Sequence, residues 1–382
     1  MLKGKRREKT MQALRGKAGV ITAVMVFGLT YGLTAPLVSL RLSAAGYSEG
    51  WIGLNAAMHA VGVFAIAPLL PALCRRFSPQ ALMRFSLFAI FLTLCLFLFL
   101  PLASWFALRL LLGAFSEIIL VVTETWLNHV SVERARATTL AWYMASLSLG
   151  FALGPFLLLA GSGTLPFFYG ALLALAAALI LLRRRNEAPL AQEKAGAFWR
   201  YLALAPLAMA ATLLNAALEA AGMNLLVIYA MNLGWSEKLA TALLSVLMLG
   251  AIVLQLPVGW LADRFDRARL VVLFAAFSTL GALAWPWALR VAPLAWVLMF
   301  LWGGAFVAIY TLVITQVGER FCGTALTGVY AAMSIMWGAG ALVGPSLAGL
   351  AMNAGAHGLP WLAAALCGAF TLYAWWMTRR AA

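Results

Sequence analysis

Three carboxylates, Glu117, Glu124 and Glu219, stand inside long apolar runs. A charge at the centre of a membrane-spanning helix costs about 2.5 to 3.5 kcal/mol on insertion scales, so one retained there marks a functional position by default. The step from Glu117 to Glu124 is about 700° of helical rotation and roughly 10 Å of rise, so the two share a face. Asn128 continues that face. Arg109 precedes Glu117 by two turns, rotated by about 80° and too far along the axis for a bridge within one helix. Its partner must come from another helix. A low dielectric favours the neutral form of a carboxyl group and a neighbouring arginine favours the ionised form, so alternating the two surroundings lets one carboxylate take up and release a proton. Proton exchange at Glu117, assisted by Glu219 or Glu124, is the chemistry these residues could carry. The structural alternative is that Glu124 snorkels to Arg134 or Arg136 and that Glu219 holds a permanent interhelical hydrogen bond.

A second group of polar side chains falls in the same apolar runs: Tyr31 and Thr34, Asn55 with His59 one turn on, Asn215 one turn before Glu219, and Gln255, Tyr310, Gln316 and Trp337. They are candidates to line a cavity and bind a solute. Each would serve equally as an interhelical hydrogen bond or a packing aromatic.

The elements that must position these groups follow from composition. Hydrophobic residues make up 64% of the chain and charged residues 10%, against about 25% charged in a soluble domain. No soluble core buries so much apolar surface, whereas a bilayer accepts it in spans of roughly 20 residues. Apolar runs predict spans near 18–40, 51–73, 82–100, 104–129, 137–160 and 164–182, then 201–231, 238–261, 270–289, 293–317, 324–351 and 359–378. The expected fold is an all-α membrane protein of twelve transmembrane helices in two pseudo-symmetric six-helix bundles. Its expected parts are a basic arm (1–17), a first bundle (18–182), a linker (183–200), a second bundle (201–378) and a tail (379–382).

Charge orients the layout. With alternating helices, 23 of the 27 lysines and arginines fall in the arm, the linker, every second loop and the tail, which places both termini in the cytoplasm by the positive-inside rule. That pattern accounts for the net charge of +15, and no nucleic-acid partner is expected. The expected location is a bacterial cytoplasmic (inner) membrane. The cysteines have no external pairing or metal-ligand spacing, so neither disulfides nor a metal is expected.

The sequence repeats itself. Gly46-Tyr47-Ser48-Glu49 returns as Gly234-Trp235-Ser236-Glu237, and Arg76-Phe77 returns as Arg264-Phe265 at the same offset of 188. Gly150-Phe-Ala-Leu-Gly154-Pro155 returns as Gly340-Ala-Leu-Val-Gly344-Pro345 at an offset of 190. Two motifs at nearly one offset indicate duplication, and the repeat sets Glu219 opposite Tyr31.

With these features the chain resembles the major facilitator superfamily over essentially its whole length. Gly259-Trp-Leu-Ala-Asp263-Arg264-Phe-Asp266-Arg267-Ala-Arg269 looks like that family's cytoplasmic motif A, which implies a gating role for Gly259, Asp263, Arg264 and Arg267. In the family this aspartate lies near a helix N-terminus and the basic residues bridge the halves. The first half departs from the pattern, with Pro71 for Gly259 and Arg75 for Asp263. Arg109 with Gly113 is similar to motif B, whose arginine is implicated in proton coupling. Glu124-Thr-Trp126-Leu127-Asn128 before Glu133-Arg134-Ala-Arg136 is similar to a bacterial branch with a Glu-Ser-Trp-Leu-Asn signature. The Gly-x-x-x-Gly-Pro segments resemble the antiporter motif C in part.

The resemblance implies secondary active transport of a small organic solute by alternating access, coupled to protons, with a lean to efflux. Uptake by symport is the alternative, and a non-transporting membrane sensor or scaffold the alternative of another class. No Gly-rich phosphate loop ending in Lys-Ser/Thr and no nucleophile constellation is present, so neither an enzyme nor a cofactor is expected. The expected partners are the solute, protons and the lipid bilayer, with the chain acting as a monomer.

Overall fold

A computed structural model describes residues 2–130, 133–159, 163–182, 198–321 and 323–381. Most of the predicted linker (183–197), and the side chains of Asn128, Arg134 and Arg136, lie outside the described residues. The described chain forms α1 (Leu2–Ala44), α2 (Glu49–Ile66), α3 (Leu70–Arg76), α4 (Pro79–Phe99), α5 (Trp105–Val130), α6 (Glu133–Leu158), α7 (Leu165–Leu182), α8 (Phe198–Leu204), α9 (Pro206–Asn232), α10 (Glu237–Val253), α11 (Gln255–Ala262), α12 (Arg267–Ala288), α13 (Ala292–Arg320), α14 (Gly323–Ala354) and α15 (Gly358–Ala381). Among the described residues, ten segments are long and apolar enough to cross a membrane, and two shorter apolar stretches lie in α6 and α7. Each predicted span has helix within it, but the seventh, expected over 201–231, starts later: Pro206 opens α9 after a break at Ala205, and α8 stands before it. α1 continues from the basic arm into the first span without a break.

Two spans are broken, and at equivalent places. The second passes through a short 3-10 turn, Ala67–Leu69, between α2 and α3. The eighth breaks at Leu254 between α10 and α11. Ile66 and Leu254, the residues at which the first helix of each pair gives way, are 188 apart in sequence. Pro68 and Pro71 in one half and Pro257 in the other supply the cause, since proline lacks the N–H and its ring crowds the carbonyl one turn earlier.

The repeated Gly-x-Ser-Glu segment is a helix stop followed by a helix start. Gly46 and Gly234 have φ of 84° and 94°, the left-handed conformation that glycine adopts without a Cβ penalty. Gly46 N–H bonds Ser43 O at 2.9 Å and Tyr47 N–H bonds Leu42 O at 3.0 Å, while Gly234 and Trp235 make the same bonds to Met231 and Ala230 at 2.9 and 3.1 Å. That is a Schellman close. Ser236 then caps α10, its hydroxyl accepting from Leu239 N–H at 3.4 Å. The loop after each broken span repeats as well: Ser78 caps α4 and Asp266 caps α12, the latter by accepting Arg269 N–H at 2.8 Å.

Contacts divide the chain into two compact units, Met1–Thr34 with Val61–Glu193, and Ala35–Ala60 with Lys194–Ala382. In the first, α4 packs on α5 and α7, and α2 crosses α5 where a Cβ at Gly62 would run into the carbonyl of Leu110. In the second, α12 packs on α13 and α15, and α14 lies along α9. There α10 crosses α13 where a Cβ at Gly250 would run into the carbonyl of Phe300. Gly62 and Gly250 are 188 apart, so the duplication preserves the crossing itself. The division cuts the first two spans for a chemical reason: Ser39 Oγ donates to Asn224 Oδ1 at 3.4 Å, Asn232 Nδ2 to Glu49 Oε1 at 3.2 Å and Gly50 N–H to Asn353 Oδ1 at 3.1 Å.

Candidate functional site

In the first unit the ionisable residues gather on α1, α5 and α6. Arg109, on the first turn and a half of α5, is 1% exposed and has Tyr31 of α1 as an electrostatic neighbour. The partner demanded by its position is thus on another helix. Tyr31 is itself held edge-on against Phe151 of α6, ring centroids 5.5 Å apart. Glu117, partly buried, sits midway along α5, and Glu124 is exposed. The two carboxylates are within electrostatic range of one another, as one helical face requires. Tyr143 of α6, buried, faces the same pair and lies within electrostatic range of both. Its hydroxyl is 3.5 Å from Thr123 Oγ1. Neither Tyr143 nor Thr123 stood out in the sequence. The available signal was a hydroxyl beside Glu124 and an isolated tyrosine among the small residues of the fifth span.

Thr34 turns out differently from its neighbour Tyr31. It is buried and its hydroxyl donates to Thr30 O at 2.7 Å, a back-bond that satisfies it within its own helix.

In the second unit, Asn215 Nδ2 donates to Glu219 Oε2 at 3.5 Å, one turn along α9. Asn215 is buried, with Oδ1 lacking a hydrogen-bond partner. Asn55 of α2 is 1% exposed with its amide nitrogen unsatisfied, and His59, partly buried, follows one turn on. An orphaned buried amide is costly. Asn55 and Asn215 therefore each hold hydrogen-bonding capacity that a solute or water could complete. Gln255 is committed elsewhere: its Oε1 accepts from Thr311 of α13 at 2.6 Å and its Nε2 donates to Ala251 O at 2.8 Å, pinning α11 to α13 just past the break at Leu254. Tyr310 and Trp337 meet edge to face, centroids 5.6 Å apart.

Gln316 lies apart from these. It lines a cavity of about 360 Å³ with Asp266, Arg267 and Glu319, beside the loop between α11 and α12. Arg267 pairs with Asp263 at 3.8 Å and with Glu319 at the end of α13, and its Nε donates to Ala262 O at 3.0 Å. Arg264 stacks on Trp260 at 3.9 Å. Asp263 closes α11 and its side chain is 80% exposed, whereas Asp266 takes the N-terminus of α12. These partners of the motif-A residues all lie within the second unit. Gly259 has no atom within 4 Å of where a Cβ would stand, so nothing crowds it here. The sequence did not single out Glu319, although a carboxylate immediately before Arg320 at the end of an apolar run was the signal.

The Gly-x-x-x-Gly-Pro segments have a packing explanation. A Cβ at Gly150 or Gly154 would strike the backbone of α1, and one at Gly340 or Gly344 the backbone of α9. Small residues let the helix axes close up. Among the described residues, no group of three or more His, Cys, Asp or Glu could hold a metal ion.

Comparisons with known proteins agree with this architecture. The model for the Major Facilitator Superfamily matches residues 20–333. The "Uncharacterized MFS-type transporter YfkF" of Bacillus subtilis is 28% identical over 268 residues, 66% of this chain and 68% of that protein. The "Uncharacterized MFS-type transporter YcaD" of Salmonella typhi is 26% identical over 255 residues, 65% and 66% of the two chains. Thus the chain spans about two thirds of the length of each of these relatives. Among solved structures, a mutant of the nucleoside transporter NupG superposes with a TM-score of 0.80 at 13% identity, over 95% of this chain and 99% of that one. A D-xylose-proton symporter gives 0.76 at 13% identity, over 95% and 97%. The chain belongs to the major facilitator superfamily.

Proposed function

We propose that this protein moves a small organic solute across the bacterial cytoplasmic membrane by alternating access, driven by protons, and that it works as an exporter by antiport. The observation that carries the reading is the cluster on α5 and α6: Glu117 and Glu124 on one face, Tyr143 against both, and Arg109 buried beside Tyr31. Two carboxylates within electrostatic range repel one another while both are ionised, and uptake of a proton by either relieves that repulsion. Exposure to the opposite side, or pairing with a cation, favours release. An antiported solute that is cationic or amphipathic would replace the proton at the same carboxylates, so acidic lining and antiport support one another. Glu219 with Asn215, and Asn55 with His59, supply further polar groups for the solute in the second unit. The loop carrying Gly259, Asp263, Arg264 and Arg267 would act as the inner gate.

Uptake by symport is the second reading. It is favoured by the packing role of the antiporter-like glycines, which removes their value as a sign of direction. The solutes of NupG and of the D-xylose-proton symporter are theirs, and they support only the class of cargo, a small organic molecule. No catalytic step is required of any residue.

The test is a panel of small solutes assayed in proteoliposomes with and without a pH gradient. Accumulation of one solute against its own gradient, on the side from which protons leave down theirs, supports antiport. Accumulation on the side to which protons flow supports symport. No gradient-dependent movement of any solute favours a sensor or scaffold.

A further inference from the structure

In the second unit α14 and α15 both rest on α9, and between them runs a groove of about 320 Å³. Its walls are apolar, formed by Leu213 and Leu214 of α9, Val343 and Leu347 of α14, and Phe370 and Tyr373 of α15. Tyr373, at its end, lies against Trp376 with ring centroids 6.2 Å apart. The Arg380 guanidinium stands 3.7 Å over the Trp376 ring, and Arg379 stands 3.8 Å over Trp375. The apolar trough therefore leads, by way of Tyr373 and Trp376, to Arg380, with Arg379 the adjacent residue of α15. Among the described residues no carboxylate pairs with either arginine.

We infer that this groove and the two arginines form a binding site for one anionic phospholipid, with an acyl chain along the groove and the phosphate on Arg379 and Arg380. Two features favour this occupant. A groove of this size lies at the lower end of the roughly 300 to 1,000 Å³ of ligand pockets, yet its walls are almost wholly apolar, which suits a hydrocarbon chain and little else. Stacking on an indole face orients each guanidinium and leaves its N–H edge available for two-point contact with phosphate. Arginine is also weakly hydrated and always charged, which favours this use over lysine. The positive-inside distribution places this end of α15 at the cytoplasmic leaflet, where anionic lipids attract basic residues. The inference is independent of the cargo and of the direction of transport.

Native mass spectrometry of the purified chain, titrated with phosphatidylglycerol and separately with phosphatidylcholine, tests it. The wild type is expected to retain phosphatidylglycerol in preference. R379A/R380A should bind it about 25-fold more weakly, taking roughly a factor of five for each cation. Ala369 of α15 also lines the groove, and Ala369→Trp, which keeps both arginines but fills it, should also weaken binding. Arg75→Ala with Arg76→Ala, removing the same charge from another loop, should leave it unchanged. Equal retention of the two lipids, undiminished binding in either the arginine pair or Ala369→Trp, an equal loss in the Arg75/Arg76 control, or displacement by millimolar inorganic phosphate would overturn the site.

Discussion

Gly250 and Gly259 lie only nine positions apart on the eighth span, and their surroundings give alanine opposite effects at the two. At Gly250 a Cβ would overlap the carbonyl of Phe300, a backbone atom on α13 that can yield only if the helices separate. Overpacking of that kind costs typically about 1 to 3 kcal/mol. Alanine returns about 1 kcal/mol through helix propensity. With a rigid backbone opposite, the clash takes the upper end of its range, and the net loss comes to about 2 kcal/mol. At Gly259 no atom lies within 4 Å, so Gly259→Ala should keep the propensity gain and stabilise this conformation by about 0.5 to 1 kcal/mol. Thermal unfolding in detergent, followed by tryptophan fluorescence to which buried Trp285 and Trp302 contribute, reads both. Gly250→Ala should unfold earlier than wild type and Gly259→Ala slightly later. If Gly250→Ala matched or exceeded wild type, the close crossing of α10 and α13 would be refuted, and with it the same crossing inferred at Gly62.

Asp263 is 80% exposed and meets Arg267 only at 3.8 Å, so Asp263→Asn should change unfolding by no more than about 0.5 kcal/mol, while shifting cysteine accessibility between the two faces; unaltered labelling would count against gating. Asp266→Ala removes the cap of α12 and should lower stability by about 0.5 to 2 kcal/mol, read in the same unfolding experiment. Tyr143→Phe deletes the hydroxyl beside Thr123 and both carboxylates and should alter the pH profile of transport without altering the yield of folded protein. A pH profile identical to wild type would remove Tyr143 from the coupling cluster.

The spans and the duplication were legible because hydrophobic length and a constant offset survive in a single sequence. The role of Gly46 and Gly234 was not read from the repeat itself: the left-handed glycine that closes one helix before the next begins came from the structure. The breaks at Ile66 and Leu254 were less legible than the spans: Pro68, Pro71 and Pro257 signal them, but proline inside an apolar run does not say whether neighbours restore the helix. At the site, helical rotation put Glu117 and Glu124 on one face, and the two lie within electrostatic range of one another. That Tyr31 would be the neighbour of Arg109, and Tyr143 the third member of the carboxylate group, depends on how α1, α5 and α6 pack, which no spacing encodes. Thr34 shows the opposite limit. A threonine in a helix can always bond the carbonyl one turn back, so its polarity in the sequence carries little information about a cavity.

In the proposed mechanism a proton bound at the α5 carboxylates drives the solute. A pH difference of one unit is worth about 1.36 kcal/mol, so with one proton per solute a proteoliposome should reach about a tenfold solute gradient. Glu117→Gln keeps the shape of the side chain and removes its titration. This variant should still exchange labelled for unlabelled solute across the membrane, yet bring net accumulation down to equal concentrations on both sides. A Glu117→Gln protein that sustained the tenfold gradient would contradict proton coupling at this residue.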